Sequence, residues 1–174
     1  MMLPSHHSNQ LLLPVNPLFL WITLVVALLL NFLPLGRQLA MPDFVALVVA
    51  FWNIHQPRRI GVGVGFSLGL VMDVHQGALL GQHALAYTLL SYLAIMIHRR
   101  VLWFGWWGQL IQVAPLFLAA HLVSLGIRII VGDGFPGWAL LLAPVFETLL
   151  WPLTGWLLLA PQRRAPDPDE DRPL

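Results

Sequence analysis

The sequence predicts an all-α polytopic membrane protein, a six-transmembrane-helix bundle built from three helical hairpins. Of the 174 residues, 58% are hydrophobic and 10% are charged, whereas a soluble domain carries about 25% charged residues. The chain therefore has too few polar groups to cover a soluble surface. Three arginine pairs end three apolar blocks, each long enough for two membrane spans. The pairs are Arg58 and Arg59, Arg99 and Arg100, and Arg163 and Arg164.

Turn signals divide each block near its middle, and the resulting elements can be placed in order. We expect residues 1–16 to form an N-terminal cytoplasmic segment, 17–160 the six-span membrane domain and 161–174 a disordered cytoplasmic tail. The tail is expected to be disordered because it is rich in proline and acidic residues and cannot bury a core. The expected spans are 17–35, 43–56, 60–77, 81–98, 109–131 and 138–160.

The distribution of arginine predicts the topology. Arginine excess marks the cytoplasmic face of a membrane. Both termini are therefore expected in the cytoplasm, where the three pairs and Arg172 would lie, with Arg37 and Arg128 towards the outside. Tryptophans near the expected boundaries predict an interfacial aromatic belt; these are Trp52, Trp103, Trp106, Trp107, Trp138 and Trp156.

The second span is unusually short. Residues 44–54 form a run of only 11 residues, apolar apart from Asn53, which gives about 17 Å of helix against a hydrocarbon core about 30 Å thick. Snorkelling ends and a tilted, partly re-entrant segment both remain open. In the last two spans, Pro115, Pro144 and Pro152 are expected to favour kinks.

Composition and motifs argue against several functional classes. A net charge of +1 gives no case for nucleic-acid binding. Without cysteine the chain has no disulfide, thiolate metal ligand or cysteine nucleophile. The zinc-protease, Walker A and nucleophile-elbow signatures are missing. The sequence therefore predicts a protein that is not an enzyme and has no cofactor or metal.

A ladder of small residues runs through the third span and the following turn. Spacing by four puts small side chains on one helix face, where another helix can approach closely in lipid. The pattern leaves open whether that helix is internal or belongs to a partner. If a partner lies there, Gly65→Leu or Gly69→Leu should weaken assembly. The ladder consists of Gly61, Gly65, Gly69, Asp73, Gly77 and Gly81.

Asp73 stands in this ladder, where a membrane makes charge costly. It could pair with a partner's arginine or bind a ligand. A structural role is favoured, in which Asp73 caps the turn before Gly77 through nearby backbone amides. Gln82 and His83 begin the next helix as caps or as hydrogen-bonding contacts across the hairpin.

Glu147 lies nine residues into the last expected span, roughly 13 Å deep. Intramembrane carboxylates usually face a bundle interior and have a partner. His121, expected at a similar depth, is the natural candidate for this partner, and Arg128 is nearer the surface but within reach. Because no second carboxylate is expected at that depth, a structural glutamate is favoured over a proton relay.

The segment PDFVALVVAFWNIHQPRRIGVGVGFSLGLVMDVHQGALLGQHALAYTLLSYLA, residues 42–94, resembles the rod shape-determining protein MreD family of bacteria. Its Pro-Asp start, Pro-Arg-Arg loop, GxxxGLxxD and LLGQHAL carry the resemblance, which extends over nearly the whole chain. The resemblance implies a non-enzymatic component of the cell-elongation machinery in the bacterial inner membrane. Its implied partners are MreC, MreB filaments, the RodA glycosyltransferase and a class B penicillin-binding transpeptidase.

Two functions follow from this resemblance. The first is a membrane scaffold whose glycine face and lipid-facing grooves receive a transmembrane helix of MreC, with arginine loops facing cytoplasmic partners. The second arises because the family fold is similar to the membrane substrate-binding subunits of energy-coupling-factor transporters. It is a vitamin-type uptake subunit, which needs a polar cavity open to the outside. That cavity would lie near Asp73, Gln82, His83 and Glu147.

Overall fold

The computed structural model describes residues 15–33 and 41–162. Within these ranges the chain is all-helical and has no strand, which confirms the all-α part of the predicted class. The 1–14, 34–40 and 163–174 ranges lie outside the described residues, and with them the predictions for the tail, Arg37, Arg163 and Arg164. The six α-helices are α1 Pro17–Phe32, α2 Phe44–His55, α3 Gly61–Gln76, α4 Gln82–Trp103, α5 Trp106–Val131 and α6 Leu142–Leu159. Short 3-10 turns at Trp138–Leu141 and Ala160–Gln162 flank α6.

Successive helices run antiparallel. In α1 and α2, Trp52 bonds Thr23 while Phe44 bonds Asn31, so the end of α1 meets the start of α2. Gly65 of α3 lies against Ser91 of α4, whereas Gly69, later in α3, lies against Ala84, earlier in α4. Trp151 of α6 bonds Gln109 near the start of α5.

This alternation gives the bundle two chemically different ends. The α2–α3 turn and the end of α4 lie at one end, which we call the arginine end after Arg58, Arg59, Arg99 and Arg100. The start of α2, the α3–α4 turn, the α5–α6 connection and the start of α6 lie at the other. We call it the carboxylate end because it carries Asp43, Asp73, Asp133 and Glu147, the four described acidic residues.

Helix α2 occupies the centre of the bundle. All ten residues from Val45 to Ile54 are buried, and α1, α4 and α6 pack around them. A helix enclosed by protein does not have to match the thickness of the bilayer by itself. It must instead have its terminal backbone groups satisfied inside the protein, because lipid offers no hydrogen bonds. This explains how a helix of only 12 residues can be stable at the centre of the bundle.

The α3–α4 pair is the closest hairpin. A Cβ added at Gly65 would overlap the Ser91 hydroxyl and the Tyr87 carbonyl oxygen. One added at Gly69 would lie 2.6 Å from both the Ala84 nitrogen and the His83 carbonyl oxygen. The helix that approaches this part of the ladder is therefore α4 of the same chain.

Several sequence expectations differ from the structure. Helix α4 continues to Trp103 and α5 starts at Trp106, so both exceed the expected 81–98 and 109–131. Trp52 does not join an interfacial belt, because it is fully buried and bonds Thr23 at 2.9 Å. Pro144 lies in the first turn of α6, where the missing N–H has no intrahelical partner to lose.

By length and composition, two described helical segments could cross a membrane alone: Trp106–Val131 and Trp138–Gln162. Pro17–Phe32 and Phe44–His55 are shorter apolar helices. Large apolar side chains are exposed around the bundle, as expected of a surface that meets lipid.

Candidate functional site at the carboxylate end

Asp73 lies in the last turn of α3 and is fully buried. Its Oδ2 accepts hydrogen bonds from the backbone nitrogens of Gly81 at 2.8 Å and Ala84 at 3.3 Å. Its Oδ1 accepts one from the backbone of His83 at 2.7 Å and one from His83 Nδ1 at 2.8 Å. Four donors converge on one carboxylate, which offsets the cost of burying its charge.

These bonds make Asp73 the N-terminal cap of α4. The N-cap residue, Gly81, has no side chain, so the first amides of α4 find their acceptor on α3 instead. A negative charge at this position also interacts favourably with the helix dipole. The capped element is thus α4, and not the turn before Gly77 that the sequence suggested.

Asp43 caps α2 and organises a second cluster. Its Oδ1 accepts from the Ala46 backbone at 3.0 Å and from Asn31 Nδ2 at 2.7 Å, and Asn31 Oδ1 accepts from the Phe44 backbone at 3.0 Å. The Tyr87 hydroxyl donates to Asp43 Oδ2. One end of α1 and one residue of α4 are thereby fastened to the first turn of α2.

Glu147 of α6 completes this cluster. Its Oε1 accepts the Asp43 backbone N–H at 2.9 Å, and His121 Nε2 lies 3.5 Å from the same oxygen. Asp43 therefore lies beside Glu147, contrary to the expectation that no second carboxylate is near. His121 Nδ1 lies 3.0 Å from the Phe117 carbonyl oxygen, so Nδ1 must carry a hydrogen.

The clusters are built for capping rather than for ligand exchange. Asp73 and Glu147 have no solvent-exposed surface, so neither lines a cavity open to the outside. The Asp73 oxygens are fully engaged, whereas Glu147 Oε2 has no hydrogen-bond partner among the described residues. No described group of three or more histidine and acidic side chains could hold a metal ion. The expected outward polar cavity is therefore not formed by these two carboxylates.

The remaining ladder residues are scattered over different structural positions. Gly77 and Gly81 flank the α3–α4 turn with positive φ angles of 62° and 106°, which favour glycine. Gly61 begins α3, and a Cβ there would meet nothing within 4 Å. Gln82 is buried at the first position of α4. The six positions therefore do not form one continuous helix face.

The described arginines stand apart from these clusters. Arg128 lies in the last turn of α5, and no described carboxylate lies within salt-bridge distance of it. Arg58 and Arg59 lie in the α2–α3 turn, and Arg99 and Arg100 near the end of α4, where all four are exposed.

Sequence reasoning missed the roles of Asn31, Asp43 and Tyr87. A signal existed for Asp43, since an aspartate just before an apolar run is a typical helix start. Asn31 and Tyr87 carry no comparable local signal. Their partner, Asp43, lies 12 and 44 residues away along the chain.

Two apolar grooves lie beside the clusters, where α1 and α3 approach each other. Phe32 stacks on His75 with ring centroids 4.0 Å apart. One groove, of about 450 Å³, lies on the α3 side of this contact; the other, of about 320 Å³, lies on α1. The larger groove, which we call the α1–α3 groove, is lined by Phe32, Leu70, Val71, Val74 and His75.

Comparison with known proteins decides the family. A family model for the rod shape-determining protein MreD matches residues 9–160. The chain belongs to the MreD family. A rod shape-determining protein MreD from Haemophilus influenzae is 29% identical over 130 residues, which cover 72% of this chain and 76% of the relative. No solved structure matches the chain.

Membership of the MreD family assigns this helical membrane protein to the determination of rod cell shape. The family is one of shape-determining structural proteins, in agreement with the sequence resemblance. The similarity to transporter subunits stays a prediction, as does the number of spans.

Proposed function

We propose that this protein is a non-enzymatic scaffold of the bacterial elongation complex that binds MreC and helps to organise peptidoglycan synthesis. It would be a multi-pass protein of the inner membrane with both termini in the cytoplasm. MreC is its direct partner in this proposal. MreB, RodA and a class B penicillin-binding transpeptidase belong to the wider complex.

The observation that supports the scaffold proposal is that the buried carboxylates cap helices and connect them to one another. Asp43 and Asp73 each cap a helix, and Glu147 holds the start of α2. Groups that would form a site in a transporter or an enzyme instead fasten helices together. A frame fixed in this way suits a protein whose outer surface presents binding sites to other membrane proteins.

The α1–α3 groove is the surface that we assign to the MreC transmembrane helix. Its lining is apolar apart from His75, and Val74 on its rim is 72% exposed. Gly65 and Gly69 cannot contact a partner directly, because α4 covers them. They would influence partner binding only through the position of α3, which forms one wall of the groove.

Co-purification tests this assignment. The tagged full-length chain is extracted from its native host in mild detergent, and the amount of MreC recovered per chain is measured. Val74→Trp, which fills the groove, should reduce MreC recovery severalfold. Ile130→Trp is the matched control, because Ile130 is 85% exposed on α5 towards the same end of the bundle and lies outside the groove lining.

Equal recovery of MreC with both variants would reject the groove as the binding surface. Mass spectrometry of the wild-type preparation tests the function itself. Recovery of MreC with wall-synthesis proteins supports the scaffold. Recovery of a transporter ATPase with its coupling subunit, and no MreC, would overturn it in favour of uptake.

A further inference from the structure

The arginine end carries an exposed surface that lies outside the proposed MreC groove. Arg58 and Arg59 lie in the tight α2–α3 turn, and Arg99 and Arg100 lie in the last turns of α4. Two tryptophans flank them, Trp103 with 93% and Trp107 with 83% of its surface exposed. We call these six residues the arginine–tryptophan surface.

Its positive charge is not neutralised by described acidic residues. All four described carboxylates lie at the opposite end of the bundle. The contacts of these carboxylates with histidine, Asp73 with His83 and Glu147 with His121, are also there. The described acidic residues are therefore separated from the arginine end along the bundle axis, although Arg128 lies at the carboxylate end with them.

The tryptophans fix where this surface lies relative to a bilayer. Apolar indole rings exposed to this degree on a membrane bundle are stable at the level of the lipid headgroups. Arg99 and Arg100 precede Trp103 by four and three residues on the same helix, so their side chains reach neighbouring positions. The α2–α3 turn cannot extend far from the bundle, because Ile60, next to Arg59, is buried. The guanidinium groups therefore lie close to the plane of the phosphates.

We propose that the arginine–tryptophan surface binds the headgroups of anionic phospholipids. Guanidinium groups form paired, charge-assisted hydrogen bonds with phosphate oxygens, and basic clusters beside membrane helices attract acidic lipids. The surface favours lipid over an acidic protein segment because it lies among the headgroups and does not project beyond them. The surface would concentrate acidic lipid around the protein.

Lipid selectivity can be measured by electron paramagnetic resonance. The full-length chain is reconstituted in phosphatidylcholine vesicles containing trace spin-labelled phosphatidylglycerol or spin-labelled phosphatidylcholine. The wild type should bind phosphatidylglycerol roughly fivefold more strongly than phosphatidylcholine. A preference of this size is expected if one arginine is fully engaged with the lipid headgroup. High salt should reduce this preference, because exposed charges are screened.

A quadruple variant tests the residues: Arg58→Gln, Arg59→Gln, Arg99→Gln and Arg100→Gln should bring the preference close to unity. The quadruple Arg→Lys variant keeps the charge and the topology signal, and it should retain most of the preference for phosphatidylglycerol. If the Gln variant does not fold or insert, the double variant Arg99→Gln and Arg100→Gln should show a partial loss. Arg128→Gln, at the opposite end, is the matched control and should behave as the wild type.

Three results would overturn the proposal. A wild-type protein that shows no preference for phosphatidylglycerol would reject lipid binding. A Gln variant that retains the full preference would reject these arginines as its source. A preference that appears only after removal of residues 165–174, which contain four acidic residues, would show that the chain itself occupies the surface.

Discussion

Gly69→Ala tests the close packing of α3 on α4. The added Cβ would lie 2.6 Å from the Ala84 nitrogen and the His83 carbonyl oxygen. Ordinary contact begins at 3.4 Å and the Ala84 Cα is closer still to the added Cβ, so the helices must separate locally by about 1 Å. All three obstructing atoms belong to the α4 backbone, which cannot rotate away as a flexible side chain could.

The separation also affects the cap on α4. Asp73 follows Gly69 by four residues on α3 and accepts the Ala84 N–H at 3.3 Å, so a small displacement breaks that bond. Overpacking costs about 1–3 kcal/mol, and a lost hydrogen bond about 1 kcal/mol. We expect Gly69→Ala to lower the free energy of unfolding by about 2–4 kcal/mol.

The assay is denaturation of the purified chain in mild-detergent micelles, followed by circular dichroism while sodium dodecyl sulfate is added. Gly63→Ala is the matched control on the same helix, because a Cβ there meets nothing within 4 Å. Alanine's better helix propensity should make that control neutral or more stable by up to about 1 kcal/mol. Equal stability of the two variants would refute the packing argument.

The remaining predictions concern the two carboxylate clusters. Asp73→Asn should destabilise the protein by about 1–3 kcal/mol and speed hydrogen exchange in the first turn of α4. The control Asp133→Asn, at an exposed position, should do neither. Unchanged hydrogen exchange in Asp73→Asn would refute the assignment of Asp73 as the cap of α4. Glu147→Gln keeps an acceptor for the Asp43 N–H and should cost under about 1 kcal/mol, whereas Glu147→Ala should cost about 2–4 kcal/mol in the same denaturation assay. A Gln variant as unstable as the Ala variant would show that the charge itself is needed. Tyr87→Phe removes the hydroxyl donor to Asp43 and should cost about 1–2 kcal/mol; an unchanged denaturation midpoint would contradict that bond.

Local sequence predicted much of the helical framework because helix starts and stops are local properties. Pro17 begins α1 after Asn16, whose side chain accepts the Leu18 N–H. Gly132 ends α5 with a positive φ angle of 94°, a conformation that glycine adopts readily. The predicted helix boundaries are wrong around residues 98–109. Arginine and tryptophan suggested a membrane interface there, but α4 and α5 both extend into this range.

The partners of the polar side chains could not be predicted in the same way. The sequence identified Asp73 and Glu147 as costly in a membrane and placed His121 at the depth of Glu147, but it did not show which backbone amides would satisfy the two carboxylates. Glu147 meets the Asp43 backbone across 104 residues of sequence. Such contacts depend on how helices assemble, and no local pattern records that arrangement.

The sequence by itself determined that this chain forms apolar helices, puts its described arginine pairs on one side of the bundle, and belongs with proteins that determine rod shape. Tertiary structure alone decided that α2 is central and that α4 fills the space beside Gly65 and Gly69. It also decided that Asp43 and Asp73 cap helices. The physical reason is that apolarity and helix propensity are properties of each segment. Hydrogen-bond satisfaction in a medium without water is a property of the whole bundle.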